Sequence, residues 1–98
     1  MFDLIQIRFE PKAEKVYKKL LRNDKQVIAK IKSLLESIRD DGYDAGLGHP
    51  ERLKGYEERW IYSRHINEKD RLTYEIVERD DGELLCIILT FKGHYDDH

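Results

Sequence analysis

The run ELLCIILTF, residues 83–91, constrains the fold more than any other stretch. From Leu84 to Leu89 it offers no polar side, so it reads as a strand apolar on both faces and central in a sheet. Just before it, Asp81–Gly82 is a tight-hairpin signal. RLTYEIVE, residues 71–78, alternates: Leu72, Tyr74 and Ile76 share the core phase, while Arg71, Thr73 and Glu75 share a solvent-facing one. NEKD marks another turn and RWIYSRHI, residues 59–66, another strand.

The first half of the chain has a different period. FDLIQIRF is short and β-rich and runs into Pro11, which suits a first helical turn. Ala13, Val16, Tyr17, Leu20 and Leu21 then recur at helical steps until Asn23 and Asp24 break the pattern and can cap a second helix. Val27, Ile28, Ile31, Leu34, Leu35 and Ile38 form the stripe of that helix, which ends near Gly42. Residues 42–58 hold four glycines and a proline with weak periodicity, predicting a loop with a short extended piece around Arg52–Lys54. The expected fold class is α+β: one strand, an antiparallel helical hairpin, and a small antiparallel sheet with three C-terminal strands. The solvent-facing phase leaves an open, polar sheet face, a surface on which sites are often built.

Ninety-eight residues suffice for one domain, residues 1–98, with one core. The sole cysteine, Cys86, lies inside the apolar run and reads as a core thiol, consistent with a reducing, cytoplasmic setting. No apolar run approaches bilayer length and nothing resembles a leader, so neither a membrane partner nor secretion is expected. The net charge of −2 argues against generic nucleic-acid affinity, yet it hides a gradient. Lys12, Lys15, Lys18, Lys19, Arg22, Lys25, Lys30 and Lys32 face only Glu14 and Asp24, and the acids cluster later. This basic stretch reads either as a solvated helix face or as a polyanion-binding surface.

The chemistry-bearing residues narrow the function. HYDDH places His94 and His98 four apart, but a chain end with one distant cysteine is a poor zinc site. The glycines of residues 42–55 lack a phosphate-cradle context, and Ser63 lacks the surroundings of a hydrolase nucleophile. What remains is Glu51, Lys54, Arg64, His65, Arg71, His94 and Tyr95. These are the parts needed for RNA cleavage without a metal or other cofactor: a base for the 2′-hydroxyl, fixed positive charge at the phosphate, and an acid for the leaving 5′-oxygen. By residue type alone, Glu51 and Lys54 also fit a surface pair, Arg71 a partner of Asp70 or Glu68, and His94 a tail.

The ordered pieces GHPERLKG, WIYSRHINEKDRLTYEI and FKGHY resemble the YoeB/Txe branch of the RelE superfamily of bacterial toxins, over essentially the whole chain. That resemblance implies a ribosome-dependent, metal-independent endoribonuclease that cuts messenger RNA in the ribosomal A site and is neutralised by a cognate YefM/Axe-like antitoxin. It matches Glu51 to the general base, Arg71 to the arginine at the scissile phosphate, His94 to the general acid and Tyr95 to its substrate-holding neighbour. Lys54 and Arg64 match basic positions along the RNA backbone. His65 stands where relatives often carry a second arginine, so its positive charge is conditional. Homodimerisation and autoregulation of transcription are likewise family expectations. The chain also departs from the pattern at Asp70, at Glu57 and Glu58 in a longer loop, and in the extension Asp96, Asp97 and His98. The extra acids weaken long-range attraction to ribosomal RNA. Two alternatives share the scaffold: a ParE-like inhibitor that is not an enzyme, and an RNA- or ribosome-binding module acting through its basic helices.

Overall fold

The structure, a computed structural model, describes residues 5–91. Strand β1 (Gln6–Phe9) leads into helices α1 (Pro11–Asn23) and α2 (Lys25–Asp41), followed by β2 (Glu51–Arg52), β3 (Trp60–His65), β4 (Arg71–Glu78) and β5 (Leu84–Thr90). Pro11 opens α1, where its missing N–H costs nothing. Asp24 closes α1 and caps α2, its carboxylate accepting from the Val27 N–H at 3.1 Å. On α2, Ile28, Ile31, Leu34 and Ile38 are buried along one side, as the periodicity requires. No described helix is long and apolar enough to cross a membrane.

The five strands form one sheet in the order β1-β5-β4-β3-β2. β2 to β5 pair antiparallel, each with its sequence neighbour. β1 instead pairs parallel with β5, Gln6 opposite Leu85 and Phe9 opposite Ile88, so the sheet is mixed. Tight turns dictate antiparallel direction only for the strands they join. β1 reaches its neighbour through a helical crossover, the usual connection for a parallel pair.

The helices cover one sheet face. Ile31, Leu34 and Ile38 pack with Leu72, Tyr74, Cys86 and Ile88, and Phe9, Tyr17 and Phe91 close one end with centroids 5.1–5.9 Å apart. Cys86 has no exposed surface, and burial pushes its thiol up to about 12. It is the core thiol expected from its neighbours. The opposite sheet face is polar only in part. The register brings Ile61, Glu75 and Ile87 into one row there and sets Val77 beside Leu85, with Ile61 almost fully buried. A central strand that is apolar on both sides necessarily lends apolar residues to that face.

Candidate functional site

The register of β2, β3 and β4 assembles the site. Glu51 lies opposite Ser63, and Ser63 opposite Thr73; one step along, His65 lies opposite Arg71. Directly paired residues share a face. Arg64 and Leu72, in the alternate phase, point toward the helices, so Glu51, Ser63, His65, Arg71 and Thr73 occupy the other side. Neighbouring strands are about 4.8 Å apart and two residues rise about 6.8 Å, which puts the backbones of Glu51 and Arg71 roughly 12 Å apart, within reach of two long side chains converging on one group. β2 is short and begins earlier than the extended piece expected at Arg52–Lys54. Two further bonds continue its pairing, from Leu53 N–H to the Ile61 carbonyl and from His65 N–H to the Gly48 carbonyl, both 2.8 Å.

Among the described residues, Glu51, Lys54, His65 and Arg71 form no salt bridge and no side-chain hydrogen bond. Arg71 does not pair with Asp70 or Glu68, and Glu51 does not pair with Lys54. Glu51 and Lys54 are exposed, whereas His65 and Arg71 are half-buried. Arg59 behaves differently: its guanidinium bonds both Glu75 oxygens at 3.1 and 2.8 Å and thereby neutralises that pair. One sheet face therefore presents an unengaged carboxylate and an unengaged guanidinium in adjoining rows. Such a surface can accept a proton at one point and stabilise an anion at another. Lys54 stands beyond β2, beside Gly55 in a groove with Arg52, Leu53 and Glu57.

Arg64 requires a correction. The motif reading sets it along RNA, but its side chain has no exposed surface and all five N–H donors are taken internally. Nε donates to the Tyr74 hydroxyl at 2.9 Å; Nη1 donates to Ser37 Oγ at 3.0 Å and the Leu47 carbonyl at 2.9 Å. Nη2 donates to the carbonyls of Gly42 and Ala45 at 2.8 and 2.7 Å. No donor remains for a phosphate. Arg64 instead clamps the loop between α2 and β2, which leads directly to Glu51. Tyr74 completes the clamp by donating to the Tyr43 carbonyl at 2.6 Å. Burial pushes the Tyr74 phenol up to about 12 although Arg64 beside it works in the opposite direction. Ser37 adds a node, donating to Asp41 at 2.8 Å and accepting from the Leu47 N–H at 2.9 Å. The fit is close at Gly48 (φ 86°), where a Cβ would lie 2.7 Å from Leu34 Cδ2.

His94 and Tyr95 lie outside the described residues, as does the Asp96–His98 extension. Sequence reasoning passed over His49. Its ring stands edge-on to His65, with centroids 6.0 Å apart and planes at 86°. The available signal was nearness in sequence, since His49 precedes Glu51 by two positions; its left-handed backbone (φ 55°) is what alternation could not foresee. Among the described residues, no group of three or more His, Cys, Asp or Glu side chains is arranged to hold a metal ion.

A family profile described as the YoeB-like toxin of bacterial type II toxin–antitoxin system matches residues 9–95. The chain is 37% identical over 78 residues to toxin YoeB of Synechocystis sp., spanning 76% of this chain and 78% of that protein. The YoeB dimer from Staphylococcus aureus superposes with a TM-score of 0.76 at 39% identity, covering 95% of this chain and all of the other. The YoeB–YefM complex from the same organism gives a TM-score of 0.76 at 38% identity, with equal coverage.

Proposed function

The chain belongs to the YoeB-like toxin family of bacterial type II toxin–antitoxin systems, and from that membership we propose that it is a cytoplasmic, ribosome-dependent endoribonuclease that cuts messenger RNA in the A site. In this reading Glu51 takes the proton of a 2′-hydroxyl, and the freed oxygen attacks the adjacent phosphorus. Arg71 stabilises the charge that builds on the phosphoryl oxygens. His94 gives a proton to the departing 5′-oxygen, and Tyr95 holds the substrate beside it. The P–O5′ bond breaks as the P–O2′ bond forms, leaving a 2′,3′-cyclic phosphate and a free 5′-hydroxyl. No metal or other cofactor enters a step. Lys54 and His65 hold the RNA backbone, and Arg64 contributes by fixing the loop that carries Glu51.

The observation that carries the reading is the adjoining placement of Glu51 and Arg71 on one sheet face, neither with a hydrogen-bond or ion-pair partner among the described residues. A charged pair left unengaged suits a ligand that supplies the missing partner. YefM is the antitoxin named in the Staphylococcus complex, and a YefM-like segment laid over this face would deny RNA access to Glu51 and Arg71. A dimer like that of the Staphylococcus relative is part of the same proposal.

The test uses programmed ribosomes and maps message ends. Wild type cuts, whereas Glu51→Ala and Arg71→Ala each lose about 10²–10⁴ in rate. No cut by wild type, or cutting by both variants at the wild-type rate, removes the assignment; the first result leaves the ParE-like reading. A second reading draws on α1, where Lys15, Lys18, Lys19 and Arg22 line a groove. An RNA-binding module acting there alone would bind ribosomes without cutting.

A further inference from the structure

The mechanism above leaves His49 without a task, although the fold presents it with care. Beyond Glu51, opposite Ser63, the pairing slips by one residue: the His65 N–H bonds the Gly48 carbonyl at 2.8 Å, and the extra residue, His49, sets its ring edge-on to the His65 ring with centroids 6.0 Å apart. His65 in turn faces Arg71. The His49 ring thus extends the His65–Arg71 row onto a third backbone segment, beside the row that carries Glu51. His49 is exposed and its backbone is left-handed, at φ 55°. Gly48 and Pro50 flank it, and the loop before it hangs from the Arg64 clamp. A non-glycine residue in that conformation persists only where its surroundings over-determine it, and such residues gather at functional sites.

The chemistry of the row selects the ligand. An imidazole has at least one N–H donor in either protonation state, and a guanidinium has only donors. A row of donors ending in a fixed cation attracts an anion and repels a metal ion. Its ends are about 10 Å apart, too far for one phosphate to bridge. We propose that His49 is a substrate-binding residue that donates a hydrogen bond to an RNA phosphate neighbouring the one held by Arg71. This rests on the endoribonuclease reading and adds a second backbone contact to it.

The contact exists before and during cleavage, so its loss weakens binding without slowing the bound complex. Single-turnover cleavage on programmed ribosomes separates the two effects. For His49→Ala the protein concentration giving half-maximal rate rises about 10–100-fold, the usual loss for a bond to a charged group, while the plateau rate stays within about threefold. His49→Gln, which keeps an N–H donor, recovers most of the affinity; His49→Phe does not. Thermal melts of all three variants matching wild type establish that this exposed site does not act through the fold. The proposal is overturned if His49→Ala saturates like wild type, if only its plateau falls, if His49→Phe restores affinity, or if His49→Ala unfolds the chain. A wild type that cuts nothing removes the nuclease reading itself, a result distinct from cutting that ignores His49.

Discussion

At the scale of single residues, two side chains that both look catalytic in sequence part company in the fold. Arg71 is unengaged on the sheet face, while Arg64 spends every donor inside. Removing Arg64 strands three carbonyls, a hydroxyl and a phenol, so Arg64→Ala is expected to cost about 3–5 kcal/mol in urea unfolding, the loss typical of breaking a buried charged network. A surface phosphate contact would leave the midpoint nearly unmoved. Lysine, with three donors on one atom, is expected to recover only part of the loss. Burial of Tyr74 and Cys86 also makes stability depend on alkali. Both groups are held up to about 12 in the folded protein, from ordinary values of 10.0 and 9.0. Their contribution is full below pH 9 and is lost as pH rises through 12, because the unfolded chain releases these protons first. Urea midpoints measured from pH 8 to 12 should therefore fall, and Cys86→Val should remove the part of the fall that starts near pH 9. Residue types and spacing made Glu51 and Arg71 legible as site members. They could not distinguish Arg64 from Arg71, because its burial depends on three loop carbonyls converging from ten or more positions away.

At the scale of elements, the helices were the most legible part. Each has a long stripe of apolar residues and a break at Asn23–Asp24, and α1 and α2 fall where that pattern requires. The break acts through one short bond, Asp24 to the Val27 N–H. Asp24→Ala should thus lower stability by about 0.5–2 kcal/mol, and Asp24→Ser by much less, in matched thermal melts. β3, β4 and β5 were equally legible from alternation and turn signals. β2 was legible only as a short extended piece, expected around Arg52–Lys54 and found at Glu51–Arg52, because it is two residues long in a glycine-rich stretch. The parallel direction of β1 was also hidden, because no tight turn joins β1 to its partner.

At the scale of the whole molecule, charge is divided by surface. The exposed side of α1 carries Lys12, Lys15, Lys18, Lys19 and Arg22 with one opposing acid, Glu14, whose pairing to Lys18 is long and exposed at 3.9 Å. If this side meets ribosomal RNA, reversing Lys15, Lys18 and Lys19 to glutamate should weaken ribosome binding and flatten its dependence on salt, read as the slope of log affinity against log salt concentration. Unchanged affinity and slope would make the stripe a solvated face only. The sheet order carries a consequence of another kind. Gln6–Phe9 pair with Leu85–Ile88, which are synthesised only after both helices and the three intervening strands. A growing chain therefore holds β1 without its sheet partner until β5 has emerged. Vectorial synthesis thereby delays completion of the sheet until every other described element has already been made.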